Sequence, residues 1–334
     1  MRRVLWSGVL LSALFLGWLW LPHSLPVTPV NFELTPGRSF RAVAHDLADQ
    51  GLLSLPQLFA LLGRVDPRSS QLRAGSYAID HPISPFELYQ MLFRGLARQH
   101  QVTLIEGHTM EQLRAVLQHE DSLRHELQTL PDEALLPMLG EQQAVPVEFP
   151  RVEGLFFPDT YFYTVGSSDL AVLKRAAQAM QRRLAQVWQE RAPGLPLKSS
   201  YEALILASLV ERETARPDER PLIAGVFYNR LRLGMRLQTD PTVIYGLGPR
   251  YDGHLHHRDL TADTPWNTYT RSGLPPTPIG LVSLAALQAV THPAPTRALY
   301  FVARGNGSHQ FSDTLEEHEQ AVDAYIHRQP KEGS

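Results

Sequence analysis

Two glutamates close an otherwise apolar run, Tyr201-Glu202-Ala203-Leu204-Ile205-Leu206-Ala207-Ser208-Leu209-Val210, followed by Glu211-Arg212-Glu213. The run is apolar nearly all round, which predicts a buried helix from Tyr201 to about Thr214. A carboxyl at the C-terminal end of such a helix is partly desolvated and meets the negative end of the helix dipole. Both effects disfavour the charged form, which is the setting a general acid requires. Glu211 and Glu213 lie two positions apart and point to roughly opposite sides, so only one is expected to face a given cleft. Leu204, Ala207 and Glu211 share one stripe; Glu202, Leu206, Leu209 and Glu213 share another. Periodicity does not choose between them. The competing reading is an ion pair with Arg212, Arg216 or Arg220, because structural pairs also perturb carboxyls.

Other segments carry polar groups among aromatics. Val152-Glu153-Gly154-Leu155-Phe156-Phe157-Pro158-Asp159-Thr160-Tyr161 sets two acids around a glycine, a proline and several rings. Aromatic faces flanked by carboxylates suit sugar rings, with their C–H faces and hydroxyl edges. The plainer reading is a core strand with Asp159 starting a turn. In Gly234-Met235-Arg236-Leu237-Gln238-Thr239-Asp240-Pro241-Thr242-Val243-Ile244-Tyr245-Gly246, Asp240 is the expected N-cap and Pro241 the first helical residue. Thr264-Pro265-Trp266-Asn267-Thr268-Tyr269 and Gly273-Leu274-Pro275-Pro276 form a polar–aromatic loop of the kind that builds sites on rigid scaffolds. His254, His256 and His257 match no zinc-ligand spacing, and H-E-x-x-H, Gly-rich phosphate loops and G-x-S-x-G are absent. Neither a metal nor an organic cofactor is expected.

The elements that must position these residues begin after a hydrophobic leader. Met1-Arg2-Arg3 is cationic, and the uncharged run Val4 to Leu21 reaches the lower end of transmembrane length. Trp18 and Trp20 sit at its outer end, and the charge bias places the N-terminus in the cytoplasm. Leu21-Pro22-His23-Ser24 is a poor cleavage site, so an uncleaved anchor is expected over residues 1–21, with a Pro-rich spacer over 22–29. Strand–turn–helix units follow. Phe32-Glu33-Leu34 reads as strand and Phe40 to Leu47, after Ser39, as helix. Ala74 to Ile79 reads as strand and Pro85 to Phe93 as helix, with Ser84 and Glu87 forming a capping box. A third unit reads Val102 to Ile105 as strand and opens a helix with the capping box Thr109-Met110-Glu111-Gln112. Residues 30–98 resemble LysM-like modules, which bind the amino-sugar backbone of peptidoglycan or chitin; a spacer without ligand is the alternative. Residues 119–150 read as helices joined by loops, and Leu170 to Trp188 as a long amphipathic packing helix.

Bulk composition narrows the function classes. With 334 residues and 43% hydrophobic content the chain has room for more than one core and is not disordered. Lys+Arg (31) and Asp+Glu (34) nearly balance, so charge gives no reason to propose nucleic acid as a ligand. Cysteine is absent, which removes disulfides and thiolate chemistry.

Taken together, Glu153 to Tyr161, Leu206 to Thr214, Val226 to Gly246 and Trp266 to Pro276 resemble the membrane-bound endolytic murein transglycosylases (YceG-like). The run from Asn229-Arg230-Leu231 through Met235 to Gly246 is the most specific, and the resemblance covers nearly the whole chain. It implies an α+β fold: a transmembrane helix, a LysM-like α+β module, then an α+β catalytic domain over residues 99–328. It also implies cleavage between N-acetylmuramic acid and N-acetylglucosamine in nascent strands, leaving 1,6-anhydro ends and terminating elongation. The family's catalytic glutamate falls on Glu211. Glu153, Tyr161, Gln238, Asp240, Tyr245, Asn267, Thr268 and Tyr269 are the expected sugar-contacting residues. Pro276-Thr277-Pro278 stands where the family usually has Pro-Gly-Pro. The implied partners are peptidoglycan strands, peptidoglycan synthases and the cytoplasmic (inner) membrane, with a single pass and the catalytic domain on the periplasmic side. Two rival readings are a two-carboxylate hydrolase pairing Glu211 with Glu153 or Asp240, and a non-catalytic wall-binding scaffold.

Overall fold

The computed structural model describes residues 13–23, 30–35, 37–66, 72–73, 75–79, 81–94, 100–139 and 145–327. It is an α+β protein whose chain divides into two compact units. The first comprises residues 1–102, 120–124 and 162–168; the second comprises 103–119, 125–161 and 169–334.

In the first unit, β1 (Val30–Leu34) pairs antiparallel with β2 (Gly75–Ile79), with Phe32 opposite Tyr77. Between them lie α1 (Phe40–Asp49) and α2 (Pro56–Val65), and α3 (Pro85–Arg94) follows. The caps explain the starts: the Ser39 hydroxyl accepts from Ala42 N–H and the Ser84 hydroxyl from Glu87 N–H. One apolar core joins both strands to the helices through Phe32, Phe40, Leu47, Phe59, Tyr77 and Leu92. Ahead of β1, residues 13–20 are helical and leave Leu14, Leu16, Trp20 and Leu21 exposed. Residues 1–12, most of the expected anchor, and 24–29, most of the expected spacer, lie outside the described residues. Among the described residues no helix is long and apolar enough to cross a membrane.

β3 spans His100–Thr103 rather than Val102 to Ile105, and pairs with β4 (Thr160–Tyr163). Ile105 and Glu106 instead begin a loop that turns at Gly107, whose φ is +75°. The Thr109–Gln112 capping box then opens α4 (Met110–Gln118) with both reciprocal hydrogen bonds. Glu153 to Pro158 is loop rather than core strand, and strand begins only at Thr160.

The core of the second unit is helical. α5 (Asp169–Gln189), α6 (Ser200–Glu213), α7 (Arg220–Arg232) and α8 (Asp240–Leu247) precede α9 (Leu284–Thr291), which packs against α5, α6 and α7. Every residue of α6 from Ala203 to Val210 is buried, as its all-round apolar sequence predicts. An antiparallel pair, β5 (Tyr300–Ala303) and β6 (His309–Ser312), and α10 (Leu315–Val322) complete the unit. α8 starts one residue away from expectation: Thr239 is the N-cap, and Asp240 already lies in the first turn. Thr239 makes no cap bond because its hydroxyl is turned to Glu213 (2.5 Å), while Asp240 accepts from the Tyr269 hydroxyl (2.6 Å).

Candidate active site

α6 is held at its start by Ser199, whose hydroxyl accepts from Glu202 N–H (3.2 Å), and ends where Thr214 turns extended. That ending delivers Glu211 to a cavity of about 740 Å³, all of whose walls belong to the second unit. The carboxyl is 4% exposed. Arg220 Nη2 donates to its Oε1 at 2.9 Å. Ser283 donates twice to Oε2, from its backbone N–H at 2.9 Å and from its hydroxyl. Ser283 is also the N-cap of α9, so the carboxyl sits at the positive end of that helix. The ion pair and the cleft are therefore not alternatives; Glu211 has both. Glu213 lines the same cavity, against the expectation that only one of the two glutamates would. The helix stops here, and the wall wraps its last turn instead of one face. Burial pushes Glu213 up, opposed by the hydrogen bond from Thr239.

The loop from Ile105 to His108 forms the facing wall with Glu106, a residue read from sequence only as part of a turn. Gly107 N–H donates to Leu281 O and Leu281 N–H to His108 O, both at 2.8 Å. Arg212 adds a bond to Gly107 O at 2.9 Å. A side chain on Gly280 would lie 2.7 Å from Gly107 O, so this close crossing requires glycine. Arg220 and Ser283 likewise escaped the sequence reading as site residues. The signals present were a Ser before an apolar helix and a cation among the three named as possible partners.

Arg212 also borders a second cavity, of about 650 Å³, in the same unit. Glu153 and Tyr245 meet there: the Tyr245 hydroxyl donates to Glu153 Oε2 (3.0 Å) and Met110 N–H to Oε1 (2.9 Å). Glu153 is 4% exposed, and burial pushes it up to about 7 against those two hydrogen bonds. Trp266 packs edge-on to Tyr245 and carries Arg151 over its ring at 4.8 Å. Its indole N–H donates to Thr277 Oγ1 (2.9 Å), so the threonine that departs from Pro-Gly-Pro holds the tryptophan.

The remaining predicted residues do not line the Glu211 cavity. Asn267 is fully buried: its amide donates to the carbonyls of Asp259, Leu260 and Ala262, and its oxygen accepts from Tyr269 N–H. Thr268 is buried and bonds Thr239 N–H and Thr242. Asn267 thus closes the loop on itself, and Thr268 ties it to the start of α8. Gln238 has φ +48°, the one positive value among described non-glycine residues, and its side-chain oxygen receives Arg230. Tyr161 bonds Phe157 O and lines a different surface cavity with Arg175. Neither Glu153 nor Asp240 lines the Glu211 cavity. Glu219 ties the α6–α7 turn to β6: burial opposes its ionisation, yet His309 donates from N–H (2.9 Å) and bonds through Nδ1 (2.7 Å), holding it low.

A buried acid gripped by a cation and a helix start, at the mouth of a polar cleft, defines this as an enzyme-like site centred on a carboxyl. The YceG-like family model matches residues 32–324, and the chain belongs to that family. It is 31% identical to the endolytic murein transglycosylase of Bacillus subtilis, over 90% of this chain and 85% of that one. It is 26% identical to the protein of the same name from Streptococcus pneumoniae, covering 89% of this chain and 58% of that longer one. A crystal structure of a YceG-like protein from Listeria monocytogenes superposes with a TM-score of 0.57 at 25% identity, over 88% of this chain and 98% of the other.

Proposed function

We propose that the protein is an endolytic murein transglycosylase acting through Glu211. The observation that carries this reading is the placement of the Glu211 carboxyl: buried, ion-paired and opening on a cleft lined by polar side chains, in a chain whose relatives bear that name. In its protonated form Glu211 gives its proton to the glycosidic oxygen as the bond to muramic C1 breaks. The C6 hydroxyl of the same sugar closes on C1, and its proton returns to Glu211. The nucleophile is already attached to the substrate, so neither water nor a base for water is required. After the first transfer Arg220 and Ser283 hold the carboxylate that remains. The second cavity, with Trp266, Tyr245, Arg151 and Glu153, receives the continuing strand beyond Arg212.

Residues 1–21 act as a membrane anchor, supported by the apolar side chains exposed on helical residues 13–20, and they keep the catalytic domain on the periplasmic side of the inner membrane. Residues 30–98 form the LysM-like module, which touches the glycan, and synthases are the neighbouring partners. Full-length protein in detergent, incubated with purified glycan strands and analysed by mass spectrometry, should produce anhydro-ended fragments, and Glu211→Gln should not. Reducing ends would instead make it a hydrolase, and cleavage by neither would make it a scaffold.

A further inference from the structure

We propose that Arg175, Arg182 and Arg183 form a carboxylate-binding subsite beside the catalytic cleft, which holds the acid groups carried by the muramic sugars of the strand being cut. The inference deepens the transglycosylase reading and rests on it. α5 carries Lys174, Arg175, Arg182 and Arg183 and, after Asp169 in its first turn, no acid. Asp169 is buried and accepts from the N–H groups of Glu126 and Leu127. Arg182 and Arg183 follow Arg175 by two helical turns, so the three share a face.

That face meets the segment from Phe157 to Tyr161 across a surface cavity of about 520 Å³, walled entirely by the second unit. The segment divides its side chains: Pro158 and Thr160 line the Glu211 cavity, Phe157 and Tyr161 line the arginine cavity, and Asp159 lines both. The arginine cavity therefore adjoins the cleft at Asp159, as the second cavity adjoins it at Arg212. Arg183 lies over the Phe157 ring at 5.3 Å and Arg175 over the Tyr161 ring at 5.9 Å. Both rings are buried, and the Tyr161 hydroxyl donates to Phe157 O. The ring faces hold these cations against the wall before any ligand arrives, which lowers the entropy lost on binding. Among the described residues the one acid on this wall is Asp159, whose Oδ1 accepts from Thr160 N–H, and no ion pair engages the three arginines. Burial pushes the Tyr161 hydroxyl up to about 12, Asp159 adds to the rise, and all three arginines oppose it, so their charges converge on one spot.

The sugar backbone of the proposed substrate is neutral. Its charges are carboxylates: the lactyl carboxyl of muramic acid where the strand is bare, or those of the peptide joined to that carboxyl. A guanidinium fork meets a carboxylate with two parallel hydrogen bonds, about twice as strong as those to neutral groups. The arginine wall thus selects strands by what hangs from muramic acid. None of the three arginines lines the Glu211 cavity, so their charge stays out of the reacting centre.

The test uses full-length protein in detergent with peptide-bearing and peptide-stripped strands, each with its carboxyls free or blocked as methylamides. Blocking should raise the wild-type KM by about 10- to 100-fold, the scale of one or two charge-assisted hydrogen bonds, with kcat little changed. A rise on peptide-bearing strands alone names the peptide carboxylates as the ligand; a rise on stripped strands names the lactyl carboxyl. The triple variant Arg175→Gln, Arg182→Gln, Arg183→Gln should start at the raised KM and respond little to blocking, as a double-perturbation cycle requires of groups in contact. A wild-type KM indifferent to blocking on both strands, or a blocking penalty that persists in the variant, would overturn the subsite. Wild-type protein that leaves reducing ends, or cuts no strand, would overturn the transglycosylase reading instead. The subsite then stands or falls on the Kd of the same four strands for wild type and variant, read by fluorescence anisotropy without turnover.

Discussion

The Glu153 residue is buried and the Glu211 side chain is 4% exposed, and the two border neighbouring cavities, yet their surroundings differ in kind. Glu211 has a guanidinium on one oxygen and a helix start on the other. Glu153 has a phenol and one backbone N–H, with no ion pair among the described residues. Burial alone raises a carboxyl, and neutral donors only partly reverse it; a cation in contact changes which form the protein is built around. The partners that the neighbours supply therefore set the two acids apart: a cation and a helix start for Glu211, neutral donors for Glu153.

Four substitutions would break or sharpen that contrast. The largest effect is expected for Glu211→Gln, which should reduce glycan cleavage by on the order of 10³-fold or more with the fold retained, checked by product analysis and circular dichroism. Next, Arg220→Ala leaves the Glu211 carboxylate buried and unpaired. Chemical denaturation should show a loss of about 3 to 5 kcal/mol, and the contrast would collapse if stability were unchanged. Glu153 provides the third. Its folded value, about 7, lies above its ordinary 4.5, so the stabilisation from holding its proton is complete below 4.5 and lost as pH rises through 7. Glu153→Gln should remove up to about 3 kcal/mol of that pH dependence, so the variant gains on wild type at alkaline pH. Parallel stability curves for the two would overturn the reading that burial holds the proton on Glu153. The smallest effect belongs to Thr277→Ala, which strips the acceptor from the buried Trp266 indole and should cost about 1 to 2 kcal/mol in thermal unfolding.

Where local chemistry decides structure, the sequence was readable. Ser39, Ser84 and Thr109 each open the helix expected of them, and the apolar run of α6 is buried all round. α2 was not singled out because its N-cap is Leu55, which makes no side-chain cap bond; Pro56 was its single start signal. The loop at 264–270 was legible as polar, but not the reason for it. Asn267 is polar because its amide serves the carbonyls of the turn around it, of which Leu260 O has no other donor among the described residues. Glu106 was beyond reach for another cause. Its neighbourhood depends on Gly107 pairing with Leu281 through two loops without periodicity, and no pattern in either segment announces the other.

Ser283 uses one hydroxyl for two tasks, accepting from Ala286 N–H as a cap and donating to Glu211. The grip on the carboxyl therefore completes only when the first turn of α9 forms, 72 residues further along the chain. A chain emerging from its N-terminus carries Glu211 long before it carries that serine. Latency is thereby written into the order of synthesis: a wall-cutting enzyme cannot assemble its grip on the acid until the last helix of its core has been made.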